Sequence, residues 1–179
     1  MKSIRKDKII EEESLENIQN EKKVLLGVDH PFLVGMKYII NTDDHVFFVM
    51  DFVRGGELWQ LLDDKIKLPE DHAKFYVLNI AIAIGYLHSK NIIYRDLKSE
   101  NVMIDESGFL KLTDFGLTKI LSQNEMATSF CGTPNYMAPE IVQKQQDPSI
   151  NYSFSVDWWS LGILTYEMLL GIFPFQNNN

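Results

Sequence analysis

The 179 residues predict an α+β fold of two unequal lobes, a small one built on an antiparallel sheet and a larger, mainly helical one. Three observations carry this expectation. Val34 to Ile40 and His45 to Phe52 are rich in β-branched and aromatic residues and flank the polar turn Asn41-Thr42-Asp43-Asp44, a hairpin signature. Arg54-Gly55-Gly56 then interrupts the pattern with a flexible joint. Beyond it, Pro69 to His88 and Trp158 to Phe175 are apolar-rich runs too long for strands, which read as buried helices. Residues 1–53 are assigned to the small lobe and its connection, and residues 54–179 to the large one.

Each element follows from its local pattern. Met1 to Ile10 alternates Lys, Arg and Asp with single apolar residues and has no targeting signal. From Ser14 to Leu26, the residues Leu15, Ile18, Val24 and Leu25 fall roughly at helical spacing among charges, predicting an amphipathic helix with these four on its buried stripe. After the hairpin and joint, Pro69 stands near the first turn of a helix that ends before Ser89-Lys90-Asn91. Ile92 to Tyr94 is strand-like, and Val102 to Ile104 and Leu110 to Leu112 are short strands around the Ser107-Gly108 turn. Between Phe115 and Val156 the pattern dissolves, and a long loop inside a compact domain signals function or regulation. Ser160, Thr165 and Glu167 interrupt the final apolar run, so it is a buried helix and no membrane span. The tail Gln176-Asn177-Asn178-Asn179 has nothing to bury.

Composition narrows the function classes. At 45% hydrophobic and 23% charged residues the chain is globular, not disordered. Its net charge of −8 opposes a nucleic-acid surface and suits cationic partners. The one cysteine, Cys131, excludes an internal disulfide and fits a reducing compartment, hence a cytoplasmic or nuclear address. His30, His45, His72 and His88 lack metal-ligand spacing and are assigned to surface or packing roles.

The chemistry lies in Tyr94-Arg95-Asp96-Leu97-Lys98-Ser99-Glu100-Asn101, followed by Asp114-Phe115-Gly116 and Ala138-Pro139-Glu140. Phosphoryl transfer needs a carboxylate at the attacking hydroxyl, oxygen ligands for a divalent ion and a cation at the phosphates, and this stretch supplies each type. In order and spacing, the three motifs resemble those of protein kinases. The resemblance implies ATP and magnesium, or manganese in its place, as cofactors. It implies Asp96 at the substrate hydroxyl, Lys98 at the transferred phosphate, Asp114 on a magnesium ion and Asn101 on a second ion. Lys2 would anchor the nucleotide phosphates and pair with Glu21. Met50, Asp51 and Val53 resemble the hinge that binds adenine through backbone groups, with Met50 as gatekeeper; Glu57 and Met103 complete the nucleotide-binding set. Thr133 would contact Asp96 and Lys98, a feature of kinases selective for Ser and Thr. Ser129 matches a site that an upstream activating kinase phosphorylates, its phosphate docking on Arg95 and Lys119, while Asn17 stands where relatives often carry a third cation.

Phe130-Cys131-Gly132-Thr133-Pro134, His30-Pro31-Phe32, Tyr94 in place of His, and Val156-Asp157-Trp158-Trp159-Ser160-Leu161-Gly162 are together similar to the AGC group, which includes protein kinases A, B and C. That similarity implies that Glu57, Glu100 and Glu167 select Arg or Lys upstream of the phosphoacceptor in protein substrates. Asp157 would hold the backbone of the catalytic loop without touching substrate. The family's glycine-rich loop and the helices beyond Phe175 have no counterpart in the sequence, so a truncated, two-lobed kinase-like fold is expected. Glu140 would then be unpaired, and Gln143 to Ser153 would form a surface insertion. Two functions remain open at this point: a Ser/Thr kinase acting on basic protein segments, or a catalytically weak or inactive fragment, whether a pseudokinase-like binding module or a truncated gene model.

Overall fold

The computed structural model describes residues 1–11 and 15–175. Strands β1 (Lys2–Arg5), β2 (Met36–Asn41) and β3 (His45–Met50) form an antiparallel sheet in the order β1-β3-β2. The polar turn closes the hairpin: the Thr42 N–H donates to the His45 carbonyl at 2.9 Å, and its hydroxyl accepts the His45 N–H at 3.1 Å. Both strands are shorter than expected. Val34 leaves the sheet because its N–H donates to the Leu112 carbonyl, while the Leu112 N–H donates to the Phe32 carbonyl, each at 2.9 Å. This segment therefore ties the small sheet to the helical part.

Helices α1 (Lys6–Glu11), which was not foreseen, and α2 (Leu15–Gly27) follow β1. Ser14 and the tail Gln176 to Asn179 lie outside the described residues. The stripe of α2 differs from expectation: Val24 and Leu25 are buried, but Leu15 is 56% exposed and the third buried residue is Glu21. A carboxylate occupies the buried face because Lys2 of β1 lies opposite it.

The larger part holds α3 (Leu58–Lys65), α4 (Glu70–Ser89), β4 (Ile92–Ile93), β5 (Val102–Ile104), β6 (Leu110–Leu112), β7 (Lys119–Ile120), α5 (Pro139–Lys144) and α6 (Ser155–Leu170). The pair β5–β6 and helix α4 lie where their patterns predict, with Pro69 preceding α4. Helix α3 escaped detection because its eight residues bury only Leu58 and Leu62 and are too few to establish a period. Helix α6 stops at Leu170, short of the expected Phe175, because Gly171 takes a left-handed φ of 73° and turns the chain. A Cβ on Gly171 would lie 2.4 Å from the Ile66 carbonyl oxygen.

One continuous core joins the sheet to the helices through Phe48, Leu58, Ile84, Leu87, Tyr94 and Leu164, all fully buried. Each such aliphatic or aromatic side chain contributes roughly 1.5–3 kcal/mol. A second cluster, Ile93, Leu121, Ala127, Ala138, Ile141, Tyr152 and Val156, lies beneath the segment that showed no periodicity. That segment is packed through long-range contacts, which local pattern does not reveal. The expectation of a purely surface insertion at Gln143 to Ser153 is corrected: Lys144 is 7% exposed and Tyr152 2%. Glu140 is half-buried and accepts the Ser155 hydroxyl at 3.3 Å.

Candidate active site

The catalytic-loop backbone is shaped from beneath by α6. Asp157, fully buried near the start of that helix, accepts the N–H groups of Tyr94 at 2.9 Å and Arg95 at 2.8 Å, and His88 Nε2 lies 2.7 Å from its second oxygen. Arg95 holds a φ of 70°, unusual for a residue with a side chain and costing about 1–2 kcal/mol. The paired bonds to one carboxylate hold this bend. His88 thus has a specific partner in addition to packing against Phe154 and Trp158.

Asp96 follows the bend and is gripped from three sides. Its Oδ1 accepts the Thr133 hydroxyl at 2.8 Å, its Oδ2 accepts Asn101 Nδ2 at 2.9 Å, and Lys98 Nζ stands 3.2 Å from Oδ2. Lys98 also donates to Thr133 Oγ1 at 3.0 Å. Because Asn101 Nδ2 additionally donates to the Asp96 carbonyl at 2.9 Å, its amide oxygen is turned away from these contacts. The structure brings Asp96, Lys98, Asn101 and Thr133 into one hydrogen-bonded group.

A second group meets it from the sheet and the Asp114 turn. Lys2 Nζ lies 2.7 Å from Glu21 Oε1 and 2.9 Å from Asp114 Oδ1. Asp114 takes a φ of 52°, and Phe115 beside it is buried edge-on against Tyr94, with ring centroids 5.8 Å apart. The Tyr94 hydroxyl donates to the Thr113 carbonyl, pinning the same turn. Partial burial acts to lower the Lys2 pKa, but the two carboxylates outweigh it and raise it above its ordinary value. Burial pushes Glu21 up, only partly offset by Lys2, and burial of Asp114 is overcome by Lys2, so that Asp114 is held below the usual range. Lys2, Glu21, Asp96 and Asp114 line one cleft of about 310 Å³, with Asn17 at its wall.

The donor set suits a hard divalent ion. Asp114 commits one oxygen to Lys2, and neither its second oxygen nor the Asn101 amide oxygen has a partner among the described residues. One carboxylate and one amide are few ligands, and no group of three or more His, Cys, Asp or Glu is arranged to hold a metal among the described residues. Either oxygen could therefore serve a hard divalent ion only if water and phosphate oxygens supplied the remaining ligands.

At the hinge, the Asp51 N–H donates to the Gly35 carbonyl at 3.0 Å, whereas the Asp51 carbonyl and both backbone groups of Val53 are unengaged among the described residues. Met50 ends β3, and Met103 of β5 bridges to Glu57. Gly55 must be glycine for another reason: a Cβ would come within 2.5 Å of the Ile104 carbonyl.

The residues read as a phosphate pocket are engaged with other groups. Arg95 is 7% exposed; its Nε donates to the Leu117 carbonyl at 2.6 Å and its Nη1 to the Tyr152 hydroxyl at 3.2 Å. Lys119 pairs with Glu125 at 3.0 Å. Ser129 is exposed, and only its carbonyl is tied to this group, accepting the Tyr152 hydroxyl at 2.7 Å.

Of the three glutamates read as substrate-selecting, the structure brings two together. Glu167 is 8% exposed and accepts the Tyr136 hydroxyl at 2.5 Å, while the Ser99 hydroxyl lies 3.3 Å from Glu167 and 3.4 Å from Glu100. Burial raises the Glu167 pKa above its ordinary value, against the opposing hydrogen bonds from Tyr136 and Ser99. Glu57 stands apart at the start of α3, where its N–H donates to Gln60 Oε1 at 3.3 Å. Ser99, Tyr136, Lys144 and Tyr152 were not foreseen. Ser99 lies inside the catalytic motif and Tyr136 beside Thr133, so proximity was a usable signal for those two; Tyr152 finds Arg95 57 residues away and carried none.

Comparison with known proteins agrees with this geometry. Residues 1–179 match the protein kinase domain family. The chain is 46% identical to atypical protein kinase C of Drosophila melanogaster over 98% of its length and 28% of that protein's. It is 45% identical to human serine/threonine-protein kinase Sgk1, covering all of this chain and 41% of that one. It is 43% identical to cAMP-dependent protein kinase type 3 of Saccharomyces cerevisiae, covering all of this chain and 43% of that protein. The chain thus spans less than half the length of these relatives, and no helix among its described residues is long and apolar enough to cross a membrane. From the motifs, the site and these relatives together, the chain belongs to the protein kinase family, within its AGC group.

Proposed function

We infer that this chain is the catalytic part of an ATP-dependent serine/threonine kinase that phosphorylates hydroxyls in basic protein segments. The observation that carries the inference is the convergence of the Asp96–Asn101–Lys98–Thr133 group and the Glu21–Lys2–Asp114 group on one cleft. Residues 1–53 act as the nucleotide-side lobe and hinge, and residues 54–179 as the substrate-side lobe. Backbone groups of Asp51 and Val53 receive the adenine between Met50 and Met103, beside Glu57, and Lys2 holds the phosphates while Glu21 keeps its ammonium in place. Asn101 and Asp114 supply oxygens to magnesium, or to manganese, which when bound neutralises charge on the phosphates. Asp96 orients the substrate hydroxyl and accepts its proton late, since a loose transition state needs little deprotonation. Lys98 stabilises charge on the transferred group, and Thr133 fixes the direction of both side chains.

Glu100 and Glu167, converging on Ser99 without a lysine or arginine within 4 Å among the described residues, suit a guanidinium from the substrate, with Glu57 a separate contact. An upstream kinase phosphorylates exposed Ser129, which places the new charge near Arg95 and Lys119. The single Cys131 and the acidic net charge support action in the cytoplasm or nucleus on proteins and not on nucleic acid.

The test is transfer of labelled γ-phosphate by the full-length protein to peptides with Arg or Glu upstream of serine. Arg-flanked peptide is expected to be preferred, with Asp96→Asn reducing turnover by 10²-fold or more. Preference for the acidic peptide would overturn the substrate class. Nucleotide binding without any turnover would favour the silent module instead.

A further inference from the structure

We propose that Tyr152 is a positioning residue for the activation segment: its hydroxyl couples Arg95 to the backbone of Ser129 and holds this segment near its working position before Ser129 is phosphorylated. The inference rests on the kinase reading above and adds a residue to it. Tyr152 is 2% exposed. Its hydroxyl donates to the Ser129 carbonyl at 2.7 Å and accepts from Arg95 Nη1 at 3.2 Å, with Cys131 Sγ 3.7 Å away. One hydroxyl therefore connects the residue before Asp96 to the residue expected to carry the phosphate.

The backbone reinforces the link. Ala127 and Tyr152 exchange both hydrogen bonds of an antiparallel bridge, at 2.8 and 3.1 Å, two residues upstream of Ser129. The segment that delivers Tyr152 is itself clamped. Lys144, at the end of α5 and 7% exposed, donates to the carbonyls of Pro148 at 2.7 Å and Ile150 at 2.6 Å. Residues 145–152 thus form a strap between α5 and the activation segment. Burial pushes the tyrosine pKa up to about 12, so its hydroxyl keeps its proton and remains a donor at neutral pH.

A phosphate on Ser129 would hold the same backbone by charge, which makes the hydroxyl redundant. The dependence on phosphorylation state separates positioning from plain structural support. Tyr152→Phe in the full-length protein removes only the hydroxyl and keeps the ring in its cluster. With Ser129 dephosphorylated by phosphatase, kcat on an Arg-flanked peptide is expected to fall about tenfold, with KM for ATP changed less than about twofold. Amide exchange at residues 127–131 should speed up by a similar factor. With Ser129 phosphorylated, the variant should match wild type within about twofold. Equal rates and equal exchange in the dephosphorylated proteins would overturn the proposal, as would an equal loss in both states.

If wild type transfers no phosphate to peptide in either state, the kinase reading fails, and exchange at 127–131 still decides: faster in the variant supports the coupling, unchanged refutes it. If Tyr152→Phe does not fold, Lys144→Met, which releases the strap without touching Arg95, is measured with the same outcomes.

Discussion

Replacing Asp157 with asparagine changes one atom type in a fully buried carboxylate and tests how the catalytic loop is held. Oδ2 serves both the Tyr94 N–H and His88, and Oδ1 serves the Arg95 N–H. The amide that preserves the most bonds turns its NH₂ toward Arg95, leaving that buried donor facing another donor. An unsatisfied buried donor costs about 1–3 kcal/mol, and the two remaining bonds weaken when their acceptor loses its charge. The sum is roughly 3–5 kcal/mol, within the range for breaking a buried ionic contact. For a domain of this length, 3 kcal/mol lowers Tm by about 6–12 °C. Calorimetry of full-length wild type and Asp157→Asn measures it directly. A second readout is specific to the geometry: the left-handed Arg95 loses its support, so kcat should fall while KM for ATP holds. A Tm within about 2 °C of wild type would refute the reasoning, because the carboxylate would then not be carrying the bend.

Three further outcomes follow from other contacts. Lys2→Met removes the cation shared by Glu21 and Asp114, and kcat should drop by about 10²-fold; a loss under threefold would remove Lys2 from the site. Since Lys2 is raised above its ordinary value of 10.5, its stabilising effect is full below that pH and fades only above its folded value; the Asp114 contribution, present above 3.8, is lost as pH falls through its depressed folded value, so assays near neutrality report both intact. Glu167, whose folded pKa lies above 4.5, disfavours the folded state as it ionises; under the proposed substrate class, recognition uses that ionised form, so KM for an Arg-flanked peptide should climb as pH falls from neutral, earlier than for an exposed glutamate. In Glu167→Gln, KM should be high and flat with pH; a wild-type profile would exclude this carboxylate from substrate binding. Gly171→Ala forces a Cβ into a left-handed position 2.4 Å from the Ile66 carbonyl and should cost roughly 2–4 kcal/mol in urea unfolding, whereas Gly162→Ala, in open helical space, should be neutral or stabilising.

How much was legible depended on the distance over which each residue finds its partner. Asp96, Lys98 and Asn101 lie within six residues, so their spacing already implied a joint site, and β5 and β6 could be read from two short apolar runs around a turn. Helix α3 was missed for want of length, and the stripe of α2 was misjudged because Glu21 is buried by a partner on another element. Free cations at Arg95 and Lys119 were expected because a sequence shows which residues carry charge but not which neighbours already use it.

By itself the sequence determined the family and the α+β order and named the candidate site residues, because hydrophobic period and short motifs are local properties of the chain. Only the tertiary structure decided that Asp157 takes the N–H groups of Tyr94 and Arg95, that Lys2 reaches Asp114 as well as its expected partner Glu21, and that Tyr152 reaches across to Arg95 and Ser129. Those contacts join residues 19 to 112 positions apart, or a strap to the segment it holds, and arise only when burial of the two apolar clusters brings their elements into register.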